Sequence, residues 1–376
     1  IVRCSPMVER KKRVFATADI GKAAMDRLRS QGYEVEVYPD IEAPPKSLII
    51  EKINTGIDAL ITSLRDRVDE DVLRAGAGKL KILSQCAVGF DNIDRAAANR
   101  YGIPFTNTPN VLTEATAEFA LFMMGAVSRR LYSSERLVDE LKWGSWHFYH
   151  PFLGDEVTGK TVAVVGAGRI GKAFARKCVG LEMDILLVNR GASDDRFLDY
   201  LRREMALRYE AEFVKRLHVA EYLAFDEALE RADYVSLHVP LIRNDGSSGV
   251  DDTYHLMNGT AFERMRRTAY LINTSRGPVV DEKALYEALV AGKIAGAALD
   301  VFEKEPLSPD SPLRDAALKD RLRLFHHFAS GTKETRLSPD PEIGMAGLAV
   351  QAVIDVLEGR FDDIRSVPNL VNREVV

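Results

Sequence analysis

Residues 162–175 read VAVVGAGRIGKAFA, and the meaning of their three glycines decides the fold. An apolar run of the kind that makes a buried parallel strand leads into Gly166, Gly168 and Gly171, and a helix-forming stretch follows. In that setting G-x-G-x-x-G is a dinucleotide fingerprint. The first glycine permits a tight turn, the second lets the backbone approach a pyrophosphate, and the third lets helix and strand pack closely. N–H groups at the start of the helix then face the anion. Glycines alone would mark only a tight turn; the strand before them and the helix after them make a Rossmann unit the expectation.

Outward from this point the same rhythm continues. KTVAVVGAGRIG is followed by MDILLVNR, ADYVSLHVP, TAYLINTSRG, KIAGAALDVFE and RLRLFHHFAS, a second series of βα units. An earlier series occupies residues 12 to about 107, where the apolar strands RVFATADI, YEVEVY, IDALITSL and LKILSQCAVG alternate with helix-like segments such as 21–31 and 69–77. Between the two series, residues 108–141 predict one or two long helices opening at Thr113. After Ser330 a loop containing LSPDPEIG leads to MAGLAVQAVIDVLEGR, whose spacing predicts a helix crossing back to the first series. The expected fold is therefore α/β with two doubly wound parallel-sheet domains. A Rossmann cofactor domain over 113–330 is inserted in a flavodoxin-like substrate domain made of 1–112 and 331–376. The charged segment 191–222 predicts a solvated helix where such folds usually have a short connection.

A chain of 376 residues that is 46% hydrophobic and 28% charged can bury two cores. Its net charge of −5 offers no basic footprint for nucleic acid or anionic membrane, so a small-molecule partner is expected. No apolar run approaches the ~18 residues of a spanning helix, and IVRCSPMVERKKR lacks the apolar core of a signal peptide, which points to a cytoplasmic protein. Cys4, Cys86 and Cys178 are odd in number and lack metal-ligand spacing; reduced thiols and no metal site are expected.

The strand after the fingerprint ends in Asn189 and Arg190, where an acidic residue would grip both ribose hydroxyls of NAD. Arg190 suits a 2′-phosphate, so the expected cofactor is NADP or NAD, with NADPH favoured. Three polar groups fall near predicted C-terminal strand ends: Arg276 in NTSRG, Glu305 in DVFEKEP and a histidine in LFHHFASGT (324–332). A guanidinium fork suits a carboxylate, and a histidine beside a carboxylate can stay protonated near neutral pH and donate to a carbonyl oxygen. Together they suit reduction of a 2-oxo acid.

These stretches, with AVGFDNID (87–94), TNTPNVLTEATAEFA (106–120), LINTSRGPVVDEKAL (271–285), LDVFEKEP (299–306) and LVNREVV (370–376), run in order along nearly the whole chain. The series resembles the D-isomer-specific 2-hydroxyacid dehydrogenases, and within them the glyoxylate/hydroxypyruvate reductases. The resemblance implies that Arg276 binds substrate, that Glu305 rather than Glu303 pairs with the catalytic histidine, and that Leu64 with backbone groups of Val88 and Gly89 holds the substrate. It implies cofactor contacts from Thr113, Gly166, Gly168, Arg169, Ile170, Gly171, Asn189, Arg190, His238, Val239, Pro240, Thr274, Ser275, Asp300, His327 and Ser330. The family's histidine segment usually reads Pro-His, which aligns His327 with the catalytic position and puts His326 at the proline. Alternation along an extended segment agrees that only one of two adjacent side chains enters a cleft, leaving His326 structural or outward-facing. The resemblance further implies NAD(P)H-dependent reduction of glyoxylate or hydroxypyruvate with the proton from His327, and a homodimer in which Trp146 reaches the partner's pocket. Two other functions fit the same fold: reduction of a bulkier or phosphonate-type 2-oxo acid, and a dinucleotide-sensing corepressor or scaffold.

Overall fold

The computed structural model describes residues 10–148, 153–243 and 252–374. Cys4, the stretch before Met7, residues 149–152 of the aromatic segment and the last two residues lie outside the described residues. The chain divides into two compact units, Thr113–Ser330 and the remainder on either side of it.

The discontinuous unit begins with β1 (Arg13–Ala16), α1 (Lys22–Ser30), β2 (Glu34–Val37), α2 (Lys46–Asn54) and β3 (Ala59–Thr62). It continues through α3 (Glu70–Gly76), β4 (Ile82–Gln85), α4 (Arg95–Arg100) and β5 (Phe105–Thr106). Its five strands are all parallel, in the order β2-β1-β3-β4-β5, the flavodoxin-like winding. Both faces are covered, so β3 and β4 are buried along their whole length. Period-two alternation sends Val14 and Ala16 to one core with Met25 and Leu28 of α1, and Phe15 to the other with Ile49 and Ile53 of α2.

The inserted unit opens with α5 (Thr113–Ser128) and α6 (Leu131–Asp139), separated at Arg130 by a left-handed residue (φ 51°) without help from glycine or proline. Then come β6 (Thr161–Val165), α7 (Arg169–Val179), β7 (Asp184–Val188), α8 (Asp195–Glu210), β8 (Ala220–Tyr222) and α9 (Phe225–Arg231). The unit ends with β9 (Tyr234–Leu237), α10 (Gly259–Arg264), β10 (Tyr270–Asn273), α11 (Glu282–Val290), β11 (Gly296–Leu299) and β12 (Leu322–Leu324). Seven parallel strands in the order β12-β11-β10-β9-β6-β7-β8 make the Rossmann winding, reversing between β6 and β9. Val162 and Val164 of β6 face Phe174 and Cys178 of α7, while Ala163 and Val165 face the opposite core with Leu229, Phe262 and Leu285. The fold class is thus the one expected. After Ser330 the chain returns to the first unit as α12 (Lys333–Leu337) and α13 (Met345–Leu357), whose Ala346, Val350 and Val353 join the core of α1.

Segment 191–222 is more than a solvated helix. α8 buries Leu198, Leu201 and Met205, and the segment closes with β8, the edge strand beside β7. Asp184 at the start of β7 fastens the return: it accepts Arg216 Nη2 at 2.9 Å and Val219 N–H at 2.8 Å. Burial works to raise this carboxyl, but those two partners outweigh it and hold it below the usual range. Among the described residues no helix is long and apolar enough to cross a membrane.

Candidate active site

Because every strand of the inserted unit runs the same way, all seven C-terminal ends share one edge, the edge at which open α/β sheets bind ligands. The reversal between β6 and β9 is the topological switch point, where a crevice of this fold forms. Gly166, at the end of β6, has φ 97°, and a Cβ on it would fall 2.8 Å from the His238 carbonyl at the end of β9. A Cβ on Gly171 would fall 2.1 Å from the Gly166 carbonyl oxygen, so α7 packs too close to the turn for any side chain. A Cβ on Gly168 would meet nothing within 4 Å, which leaves the N-terminus of α7 open. Arg169 is exposed and Ile170 half-buried on its first turn.

The donor set around this crevice fits a nicotinamide dinucleotide. Orphan N–H groups and the helix dipole of α7 suit a pyrophosphate. Beside them, His238 Nδ1 and Thr274 Oγ1 are buried without a hydrogen-bond partner among the described residues, as polar atoms awaiting a ligand would be. Burial pushes the His238 imidazole down to about 3, so the ring is neutral, with Nε2 2.9 Å from Ser236 Oγ. Val239 and Pro240 follow it along the crevice, Pro240 at the surface. Asn189 and Arg190 are exposed at the end of β7, and Asn189 Nδ2 donates to Ala192 O at 3.2 Å. Neither supplies a carboxylate.

Glu305 and His327 lie on the other half of the same edge. Glu305 accepts the Phe302 N–H through one oxygen (3.0 Å) and His327 Nδ1 through the other (2.8 Å). With an N–H donated from Nδ1, the ring would turn Nε2 to its opposite side as the nitrogen able to exchange a proton. Glu303, two residues earlier, instead contacts His255 Nε2 at 3.1 Å, so the two glutamates of the acidic motif serve different histidines. His326 is exposed and stacks on Phe328, with ring centroids 5.1 Å apart.

The backbone at the two histidines is not the extended one that side-chain alternation requires. His327 lies beyond β12 with φ 56°, a left-handed conformation rather than an extended one. Asp300 imposes that turn. Its backbone carbonyl accepts His327 N–H (2.8 Å), and its two carboxylate oxygens accept the N–H groups of Phe328 (2.7 Å) and Ala329 (2.8 Å). Asp300 is fully buried, and burial raises its carboxyl above the usual range against the pull of those two N–H bonds. The family resemblance implies a cofactor contact for Asp300, and nothing in the sequence signals this backbone-holding task.

Arg276 follows β10 in extended conformation, and Asn273 organises its turn, donating to Arg276 O (3.0 Å) and accepting Ser275 N–H (2.9 Å). Gly277 seats that turn against the chain after β11: a Cβ there would coincide with the Phe302 carbonyl, at 1.8 Å. The Arg276 and Glu305 segments are thereby joined through backbone. Thr113 opens α5 and Ser330 ends the unit. In the other unit, Leu64 follows β3, and Val88 and Gly89 follow β4, again at C-terminal strand ends.

Residues 121–327 match the family described as D-isomer specific 2-hydroxyacid dehydrogenase, NAD binding domain. The chain is 42% identical over 367 residues to a glyoxylate reductase of Korarchaeum cryptofilum, covering 97% of each. A crystal structure of a Thermus thermophilus protein superposes with TM-score 0.78 at 34% identity, over 96% of this chain and 99% of that one. That of D-lactate dehydrogenase from Aquifex aeolicus, complexed with NAD and lactic acid, gives 0.74 at 25% identity over the same shares.

Proposed function

The chain belongs to the D-isomer specific 2-hydroxyacid dehydrogenase family and is a nicotinamide-dependent oxidoreductase acting on a 2-oxo acid; from that premise we propose that glyoxylate or hydroxypyruvate is the substrate it reduces. The observation that carries the assignment of roles is the 2.8 Å contact between Glu305 and His327 Nδ1. When bound, the dinucleotide supplies the hydride. His327 donates the proton to the carbonyl oxygen from Nε2, and Glu305 keeps the ring in the donating orientation. Arg276 grips the substrate carboxylate and polarises the carbonyl. Leu64 and the backbone at Val88 and Gly89 are assigned to the substrate. The inserted unit is read as the dinucleotide-binding domain and the discontinuous one as the substrate domain.

Glyoxylate is favoured because relatives bearing that name match end to end. We read the protein as cytoplasmic and as a homodimer. Supporting the dimer, Phe122, Leu131, Val138, Leu141, Trp143, Trp146 and Phe148 are all exposed within a short span of chain, and exposed apolar side chains in number mark interaction surfaces. Trp146 is the residue assigned to the partner's pocket.

The direct test is oxidation of NADPH and NADH with a panel of 2-oxo acids. Turnover with glyoxylate or hydroxypyruvate is expected; the bulkier acids alone, or no turnover at all, would replace this reading with one of its rivals. In the same assay His327→Ala should lower kcat by about 10² to 10⁴, and His326→Ala by less than about three-fold. Equal losses at both positions contradict the assignment.

Cofactor choice rests on Arg190. An exposed guanidinium adds about 1 kcal/mol or less toward a 2′-phosphate, a preference of a few-fold for NADPH with NADH still usable. Arg190→Ala should erode that preference through KM for NADPH, and a ratio unchanged by the mutation removes Arg190 from the site. Light scattering at micromolar concentration should give the mass of a dimer; a monomer would end the interface reading.

A further inference from the structure

The loop after β4 is held by side-chain amides that the mechanism above leaves unused. Asn107 Nδ2 donates to Val88 O at 2.7 Å, and Gln85 Nε2 donates to Gly89 O at 3.3 Å. Carbonyl and N–H of a trans peptide point in opposite directions. Pinning the carbonyls of Val88 and Gly89 therefore turns the following N–H groups, those of Gly89 and Phe90, to the other side. Neither N–H has a hydrogen-bond partner among the described residues.

The amide orientations follow from the acceptors around them. Asn92 Nδ2 faces two carbonyls of the neighbouring loop, Ser63 O (3.1 Å) and Asp66 O (2.7 Å), so its Oδ1 must face Gln85. Gln85 Nε2 then sits 2.8 Å from that oxygen, and Gln85 Oε1 takes the Thr62 hydroxyl at 2.7 Å. Gln85 and Thr62 are fully buried, so the chain of amides cannot exchange partners with water. It links the loop that bears Leu64 to the loop that bears Val88 and Gly89.

We propose that Gln85 and Asn107 are positioning residues for substrate: by holding the Val88 and Gly89 carbonyls they aim the Gly89 and Phe90 N–H groups at the carboxylate of the 2-oxo acid. This rests on the reading that the backbone at Val88 and Gly89 binds that carboxylate. Pre-aimed N–H donors favour an anion without reorganisation when it arrives.

The test compares glyoxylate with glycolaldehyde, the same aldehyde with a hydroxymethyl group in place of the carboxylate. In Asn107→Ala and Gln85→Met, KM for glyoxylate should rise by about ten-fold with kcat reduced less than about three-fold, while kcat/KM for glycolaldehyde stays within about two-fold of wild type. Parallel losses on both substrates, or an unchanged KM for glyoxylate, overturn the proposal. Should Gln85→Met fail to fold, Asn107→Ala decides alone, since Asn107 is only partly buried. Wild-type enzyme that reduces both substrates equally well would overturn the carboxylate reading and this proposal with it. Wild-type discrimination that survives undiminished in the variants overturns the proposal only.

Discussion

The buried carboxylate of Asp300 is the constraint on which the candidate active site depends. One residue at the end of β11 receives three consecutive backbone N–H groups, one on its carbonyl and two on its side chain. That arrangement bends the chain just beyond β12 and holds His327 in a left-handed conformation that is uncommon for a non-glycine residue. Only after that bend does the imidazole meet Glu305, which is itself fixed by the Phe302 N–H. The pair is therefore positioned from β11 twice over. Loss of the Asp300 carboxylate would leave the buried Ala329 N–H unsatisfied, at a cost of about 1–3 kcal/mol.

Both units use the same construction. Parallel strands gather the chemistry-bearing residues at one edge, and polar side chains in the loops beyond fix backbone that the strands no longer control. In the inserted unit Asp300 and Asn273 do this work; in the other, Asn92, Gln85 and Asn107 do. The glycines mark the places where backbone must meet backbone, as Gly166 meets His238 and Gly277 meets Phe302.

How much of this was legible in the sequence depended on whether the signal was local. Two parallel α/β units could be read from apolar runs and the fingerprint, because buried parallel strands leave continuous hydrophobic stretches. β5, only Phe105–Thr106, and β8, Ala220–Tyr222 inside a charged segment, are too short to leave a pattern, and their pairing is decided by neighbours distant in sequence. The break at Arg130 between α5 and α6 carries no glycine or proline. In the site, Arg276, Glu305 and His327 stood out by residue type at strand ends, whereas the geometric reason for preferring His327 assumed an extended backbone that Asp300 does not permit. The tasks of Asp300, Gln85 and Asn107 depend on long-range contacts with backbone atoms, which residue type does not reveal.

That Glu305 acts by holding His327 as the proton donor is tested most directly by a double-mutant cycle on kcat for 2-oxo acid reduction, built from Glu305→Gln, His327→Ala and the two together. The amide keeps the size of the side chain, and a weaker hold on Nδ1 matters only while the imidazole is there to be held. Glu305→Gln should lower kcat by about ten-fold in the wild-type background and by less than about two-fold when His327 is already alanine. Equal losses in both backgrounds would contradict the account.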